Sequence, residues 1–291
     1  MRITQGMLVG NFLNNLNTNY RNMNRIQEQL STGKTINRPS DDPVGVVASL
    51  RLYTGLTETE KYLSNVEDAK GWLNTTDTAL GQASDVLDRV REITIAGATD
   101  SLSQSAREAL ASEVSQLREQ LEQIGNTAHD GRYVFGGFRT TEPPFAAGAY
   151  AGDTGSMNYE IGVNITMPIN LTGDDVLINT IDTFALLTDI ENEISGGNTA
   201  SLSGTRLGEL DQAIDNILAL RSGVGAKTNR LELTQTRLED ASLNFSTLLS
   251  ENEDINTAEM ITQLKMQENT YNTALAAGAR IIQPTLLDFL R

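Results

Sequence analysis

Amphipathic helical stripes occupy both ends of this 291-residue chain, and everything that reads as strand lies between them. Val9, Leu13, Leu16, Tyr20, Met23 and Leu30 follow the alternating three–four spacing of a coiled-coil seam, with Gln27 the one polar break. Ile261, Leu264, Tyr271, Leu275 and Ile282 do the same near the other end, and Leu286 and Phe289 carry the stripe almost to the last residue. A helix striped on one face must bury that face against something. Two such ends predict that they meet and that their meeting is an assembly interface. Any helical bundle would hold such residues as ordinary core. Position at the chain ends and the weak helicity of the first stripe favour partner contact. That first segment carries Asn11, Asn14, Asn15, Asn17, Asn19, Asn22 and Asn24. Together they cost up to ~5 kcal/mol of helix propensity relative to Ala. An isolated helix of this length is marginal even with better residues, so the stripe needs a partner to persist.

After the first helix comes LSTGKTINRPSDDPVG, Leu30 to Gly45, dense in helix punctuation. Gly33 falls where a C-cap belongs, and Pro39 biases Arg38 toward extended geometry. Ser40 or Asp42 can cap the next helix, with Pro43 tolerated in its first turn. That helix is predicted from about Val44 to Ala96, because Leu52, Thr59, Val66, Leu73, Leu80 and Leu87 step by seven with Leu56 and Leu63 beside them. It would be roughly 80 Å long, with Gly55, Gly71 and Gly81 as possible breaks. Gly97–Ser103 reads as a turn, and a helix follows from about Ser105 to Ala128. The pattern returns over 207–249, where Arg221, Thr228, Gln235 and Ser242 interrupt one row and can fix register.

Periodicity changes between Gly131 and Thr180, which hold eight of the 24 glycines and three of the six prolines. RYVFGGF, MNYEIG, VNITMPI and DVLIN read there as short strands bounded by turns. A helix from about Ile181 to Ile194 and a linker, SGGNTASLSGT, lead back to the helical part. The fold expected is mainly α: a long coiled-coil-like helical rod formed by both chain ends, with a small inserted β-rich domain. Its divisions are a terminal helical assembly domain (1–42 and 251–291), a helical rod domain (43–130 and 181–250) and the β-rich insert (131–180).

Chemistry finds little to work with. The chain has no Cys, so no thiol nucleophile or thiolate metal site is possible, and His129 is its one histidine. Placement of His129 at a cap or surface near the helix end is expected, not catalysis. GKT at Gly33–Thr35 resembles the end of a P-loop, but that motif needs a Gly where Glu28 stands and a preceding strand. Asp41/Asp42 and Asp174/Asp175 are explained by a helix start and an acidic turn, without EF-hand spacing. The N-x-S/T triplets at Asn74, Asn164, Asn170 and Asn244 occur by chance. No catalytic, cofactor-binding or metal-ligating set is expected. With 22 Lys+Arg against 38 Asp+Glu, a nucleic-acid partner is not expected either. No stretch approaches a membrane span, and MRITQGMLVGNFLNNLNTNY lacks the basic and apolar regions of a Sec-type signal.

LSTGKTINRPSDDPVG is very similar to the segment after the first helix of bacterial flagellins and their relatives. Within that superfamily, MRIT, GRYVFGGFRTTEPPF and AEMITQLKMQENTYNTALAAGARIIQPTLLDFLR resemble the branch of hook-associated protein 3, the hook–filament junction proteins. The resemblance covers about two-thirds of the chain. It implies a type III flagellar export substrate, held by a flagellar export chaperone, secreted to the extracellular flagellum. There it would assemble with copies of itself as a short ring or helical layer between the preceding hook-associated protein and flagellin. A flagellin-type filament subunit is the alternative reading, since it shares the loop and architecture. A coiled-coil signalling module would explain the heptads but not the β-rich insert.

Overall fold

The computed structural model describes residues 5–99 and 101–282. The chain is mainly α. Helix α1 spans Gln5–Thr32, α2 Pro43–Gly97, α3 Gln104–Gly125, α5 Thr183–Gly196, α7 Leu207–Glu253 and α8 Thr257–Ile282. Strands β1 (Ala128–His129), β2 (Arg132–Tyr133), β3 (Phe145–Ala146), β4 (Ala149–Tyr150), β5 (Asn158–Gly162) and β6 (Ile165–Pro168) form three antiparallel hairpins, β1–β2, β3–β4 and β5–β6. The short helix α4 (Gly173–Leu177) follows them, and α6 (Thr199–Ser201) runs through a π-helical turn, Leu202–Arg206, into α7. Contacts group the chain into two units, residues 1–58 with 241–291 (unit 1) and 59–240 (unit 2).

Unit 2 is built on the seven-residue steps. Val66, Leu73, Leu80 and Leu87 of α2 are completely buried, as are Leu210, Ile217 and Leu231 of α7. Each such side chain contributes about 1.5–3 kcal/mol relative to exposure. Val114 and Leu121 of α3 and Leu187, Ile190 and Ile194 of α5 complete the same core. Two polar interruptions of the α7 row reach partners on α2. Arg221 Nε donates to Asp77 over 3.1 Å, and Gln235 accepts from Lys70 Nζ over 3.0 Å. None of Gly55, Gly71 and Gly81 breaks α2; Gly71 instead admits the His129 ring, which lies 3.3 Å from where its Cβ would be.

The segment 131–180 differs from its expectation at DVLIN. DVLIN is not a strand: Thr172 accepts from the Asp175 amide as an N-cap, and α4 begins with Asp174 and Asp175 in its first turn. Those acids favour a helix N-terminus over a strand. The segment packs against the helices. Phe145 is 1 % exposed, with its ring centroid 5.4 Å from Tyr150 and 5.3 Å from Phe184. The Asn126 side chain donates to the Phe145 carbonyl and accepts from its amide, both at 2.9 Å, and the Glu122 carboxylate accepts from the Ala147 and Gly148 amides. Ile161, Met167 and Ile169 lie in the core that α2, α3, α5 and α7 share. The contact grouping places its boundaries at 58/59 and 240/241, and the segment falls wholly within unit 2.

The stretch SGGNTASLSGT is only briefly a linker. Gly197 ends α5 in a left-handed conformation (φ 72°), then Asn198 caps α6 and Leu202 is completely buried.

Candidate assembly interface

Unit 1 contains α1, the loop 33–42, the start of α2, the end of α7, and α8. The loop behaves as its composition dictates. Gly33 caps α1 with φ 73°, and Asp42 rather than Ser40 starts α2, its carboxylate accepting from the Val44 amide at 3.0 Å. The GKT triplet is spent on a clasp between this loop and the α7–α8 junction. Thr35 N donates to Glu253 O (2.6 Å) and Ile255 N to Gly33 O (3.1 Å), a β-bridge centred on Lys34 and Asp254. Lys34 Nζ reaches Glu253 Oε2 at 2.6 Å and the Tyr53 hydroxyl at 2.7 Å, and Tyr53 donates to the same carboxylate oxygen at 3.0 Å. Asn252 Nδ2 joins them to α2 through Gly45 O and Ser49 Oγ.

The Glu253 side chain is 8 % exposed. Burial pushes its carboxyl up, but hydrogen bonds from Lys34, Ser49 and Tyr53 outweigh that and hold it below the usual carboxylate range. The Lys34 ammonium is raised above its ordinary value, first by its bond to Glu253 and then by Tyr53. A depressed carboxyl contributes stability above its unfolded value of about 4.3, and this is lost as pH falls through the folded value. Glu253→Gln is expected to cost about 1.5–3 kcal/mol, the range for a hydrogen bond to a charged group. Denaturation of the variant followed at pH 7 and pH 3 checks this: the difference from the parent chain narrows at the lower pH.

α1 and α8 pack antiparallel. Along α1, Val9, Phe12, Leu16, Asn19, Met23, Ile26 and Leu30 are half-buried; along α8, Met260 and Gly278 are buried and Leu264, Gln267, Tyr271 and Ala274 half-buried. Gln267 Nε2 donates to the Asn19 carbonyl at 3.3 Å, and the Tyr20 and Tyr271 rings lie 6.2 Å apart. A Cβ at Gly278 would collide with the Phe12 ring, so only glycine admits Phe12 there. Gly278→Leu is expected to destabilise the α1–α8 pair by about 1–3 kcal/mol through overpacking. Limited proteolysis within 5–32 reports it.

Of the thirteen residues the sequence singled out, the structure half-buries Val9, Leu16, Met23, Leu30, Leu264 and Tyr271 in the chain's own helix pair. It leaves Leu13 and Tyr20 each 47 % exposed, Ile261 49 % and Leu275 43 %. Beside the exposed Leu13 and Tyr20, the half-buried row of α1 is Phe12, Asn19 and Ile26. The side chain of Ile282, and Leu286 and Phe289 altogether, lie outside the described residues. Sequence reasoning missed Phe12, Ile26, Met260, Ala274 and Gly278. A lone glycine in a helical pattern facing an unassigned Phe was the signal available.

Charge and apolar exposure divide sharply between the units. Unit 1 holds nine Lys+Arg against ten Asp+Glu, while unit 2 holds 13 against 28. Thirteen of the nineteen large apolar side chains exposed among the described residues belong to unit 1, which has 109 of the 291 residues. His129 sits in unit 2 edge-on to Trp72, its Nδ1 2.8 Å from Thr75 Oγ1. Among the described residues, no three of His, Asp and Glu are grouped to hold a metal ion, and no helix is long and apolar enough to cross a membrane.

Residues 3–140 match the bacterial flagellin N-terminal helical region, and residues 207–290 match the bacterial flagellin C-terminal helical region. Flagellar hook-associated protein 3 of Escherichia coli is 25 % identical over 305 residues, covering 96 % of this chain and 95 % of that protein. Flagellin FlaB1 of Treponema pallidum is 28 % identical, covering 91 % of each. Among solved structures, a flagellar hook-associated protein of Vibrio parahaemolyticus superposes with a TM-score of 0.69 at 21 % identity, covering 74 % of this chain and all of that one. FlgL of Bacillus cereus gives 0.61 at 23 %, covering 69 % and 99 %. The two matched helical regions are those that carry the α1–α8 pair, the clasp and the heptad core, and with them the chain belongs to the flagellin superfamily.

Proposed function

We propose that this chain is a structural subunit of the bacterial flagellum that joins the hook, through the preceding hook-associated protein, to the flagellin filament. Copies associate through unit 1 in a short ring or helical layer. The observation that carries this reading is the division just described: a near-neutral unit rich in exposed apolar side chains on a chain whose other unit carries nearly all the net charge. Large exposed apolar surface marks an interaction site, and like-charged units resist contact with each other. The end-to-end match to a hook-associated protein 3 favours the junction role over the filament role. The terminal assembly domain we propose is α1 with α8, and assembly completes a burial that the single chain leaves partial. No catalysis is part of the role, the relatives being structural flagellar proteins. Export by the flagellar type III route, with a chaperone on the C-terminal helices, follows from the same reading.

Electron microscopy tests it. Purified chain is expected to give short layers, and a strain lacking it hooks without attached filaments. Long filaments from the pure chain would instead make it a filament subunit.

A further inference from the structure

Nothing in the local sequence requires the break between α7 and α8. From Gly225 to Gly278 the chain holds no other Gly and no Pro, and Asp254, Ile255 and Asn256 at the break are none of them helix breakers. The loop 33–42 supplies the cause. In an unbroken helix the Ile255 amide would donate to the Glu251 carbonyl, and the Thr257 amide to the Glu253 carbonyl. Instead, Ile255 N donates to Gly33 O at 3.1 Å, and Glu253 O accepts from Thr35 N at 2.6 Å and Thr35 Oγ1 at 2.9 Å. Asp254 N still donates to Ser250 O, so helical bonding runs right up to the residue where the loop takes over. Asn256 then restarts the helix, its side chain accepting from the Glu259 amide and its carbonyl from the Met260 amide.

The two bonding patterns exclude each other. Ile255 has one amide hydrogen to give, and Thr35 fills both lone pairs of the Glu253 carbonyl. We infer that the α7–α8 joint is a two-state switch: with the loop clasped the helix is interrupted at 254–256, and with the loop released α7 and α8 run on as one continuous helix. Two arrangements of one sequence that differ in a few bonds are the usual material of such elements. The interrupted state is held at one carboxylate oxygen, Glu253 Oε2, which accepts from Lys34 Nζ and the Tyr53 hydroxyl. The loop belongs with α1, because Gln29 Nε2 donates to Thr35 O at 2.7 Å and Arg38 bonds both oxygens of Glu28 at 3.0 and 3.1 Å. The end of α7 belongs with α2, through Asn252 to Gly45 O and Ser49 Oγ. Releasing the clasp therefore frees α8 while those two attachments stay in place.

Spin-label distances test this. The chain has no Cys, so Leu243→Cys and Met266→Cys, both at exposed positions, provide the two labelling sites. In one continuous helix, the 23 residues between these positions correspond to a Cα separation of ~35 Å. Lys34→Met with Tyr53→Phe takes two hydrogen bonds from Glu253 Oε2 and is expected to move the double electron–electron resonance peak from the parent value to ~35 Å. Adding Thr257→Pro is expected to bring the parent distance back. Proline is accepted at the first residue of α8, after the Asn256 cap, but in an unbroken helix it would clash with the Glu253 carbonyl. Far-UV circular dichroism confirms that each variant is folded. A clasp variant that keeps the parent distance overturns the inference. So does a broad distribution without the ~35 Å peak, since the joint would then only loosen. A Thr257→Pro variant that leaves the clasp variant's distance unchanged overturns it as well.

Discussion

Phe145→Ala is expected to lower the stability of unit 2 by about 3–5 kcal/mol, the range for deleting a buried aromatic ring. The reason is the place of this side chain. It is 1 % exposed, lies between Tyr150 and Phe184, and its ring is 2.6 Å from where a Cβ on Gly125 would be. Neighbours tied down by Asn126 and Glu122 cannot collapse into the space it leaves. The loss is a large part of a domain's net stability, on the order of 5–15 kcal/mol. Chemical denaturation monitored at Trp72, which lies in the same core, measures it. For the same reason, replacing residues 141–180 by a flexible linker is expected to unfold unit 2, because it removes Phe145, Ile161, Met167 and Ile169 together.

Deleting residues 257–291 is expected to melt α1 as well as remove α8. The 28 residues of α1 would then face water on the side that α8 covers. Seven Asn between positions 11 and 24 leave that helix without the propensity to stand alone. Far-UV circular dichroism should lose the helix of both segments, 28 and 26 residues, while the signal of α2, α3, α5 and α7 remains. Association should be abolished. A truncated chain that keeps α1 helical, or still forms layers, contradicts the pairing.

The helices were legible because their rows are long. Val66 to Leu87 and Leu210 to Leu238 keep a seven-residue step over several turns, and only a helix buries such a row. The start of α2 was legible from Asp42 and Pro43, and the end of α1 from Gly33, since both follow from backbone chemistry. Phe145 was harder to place. Nothing in TTEPPFAAGAY says that its one Phe reaches the helices, because that contact depends on Asn126 and Glu122 far back in the chain. The seam of α1 was half legible. Val9, Leu16, Met23 and Leu30 belong to it in either register, but one row of α1 reads Phe12, Asn19, Ile26 and the next reads Leu13, Tyr20, Gln27. Each has one polar member, so hydropathy alone cannot choose between them. Gly278 opposite Phe12 decides it, and that is a fact of packing. The row of Leu13 and Tyr20 stays about half exposed.

Hydrogen exchange on free and assembled chain measures the central claim, that unit 1 is where copies meet. Amides of 9–30 and 257–280 are expected to gain protection on assembly, together with 44–52 on α2. Those of 66–90 and 210–238 are expected to be protected in both states and unchanged. Protection gained only within 59–240, with the α1–α8 pair unaffected, would place the contacts between copies in the acidic unit and contradict the account.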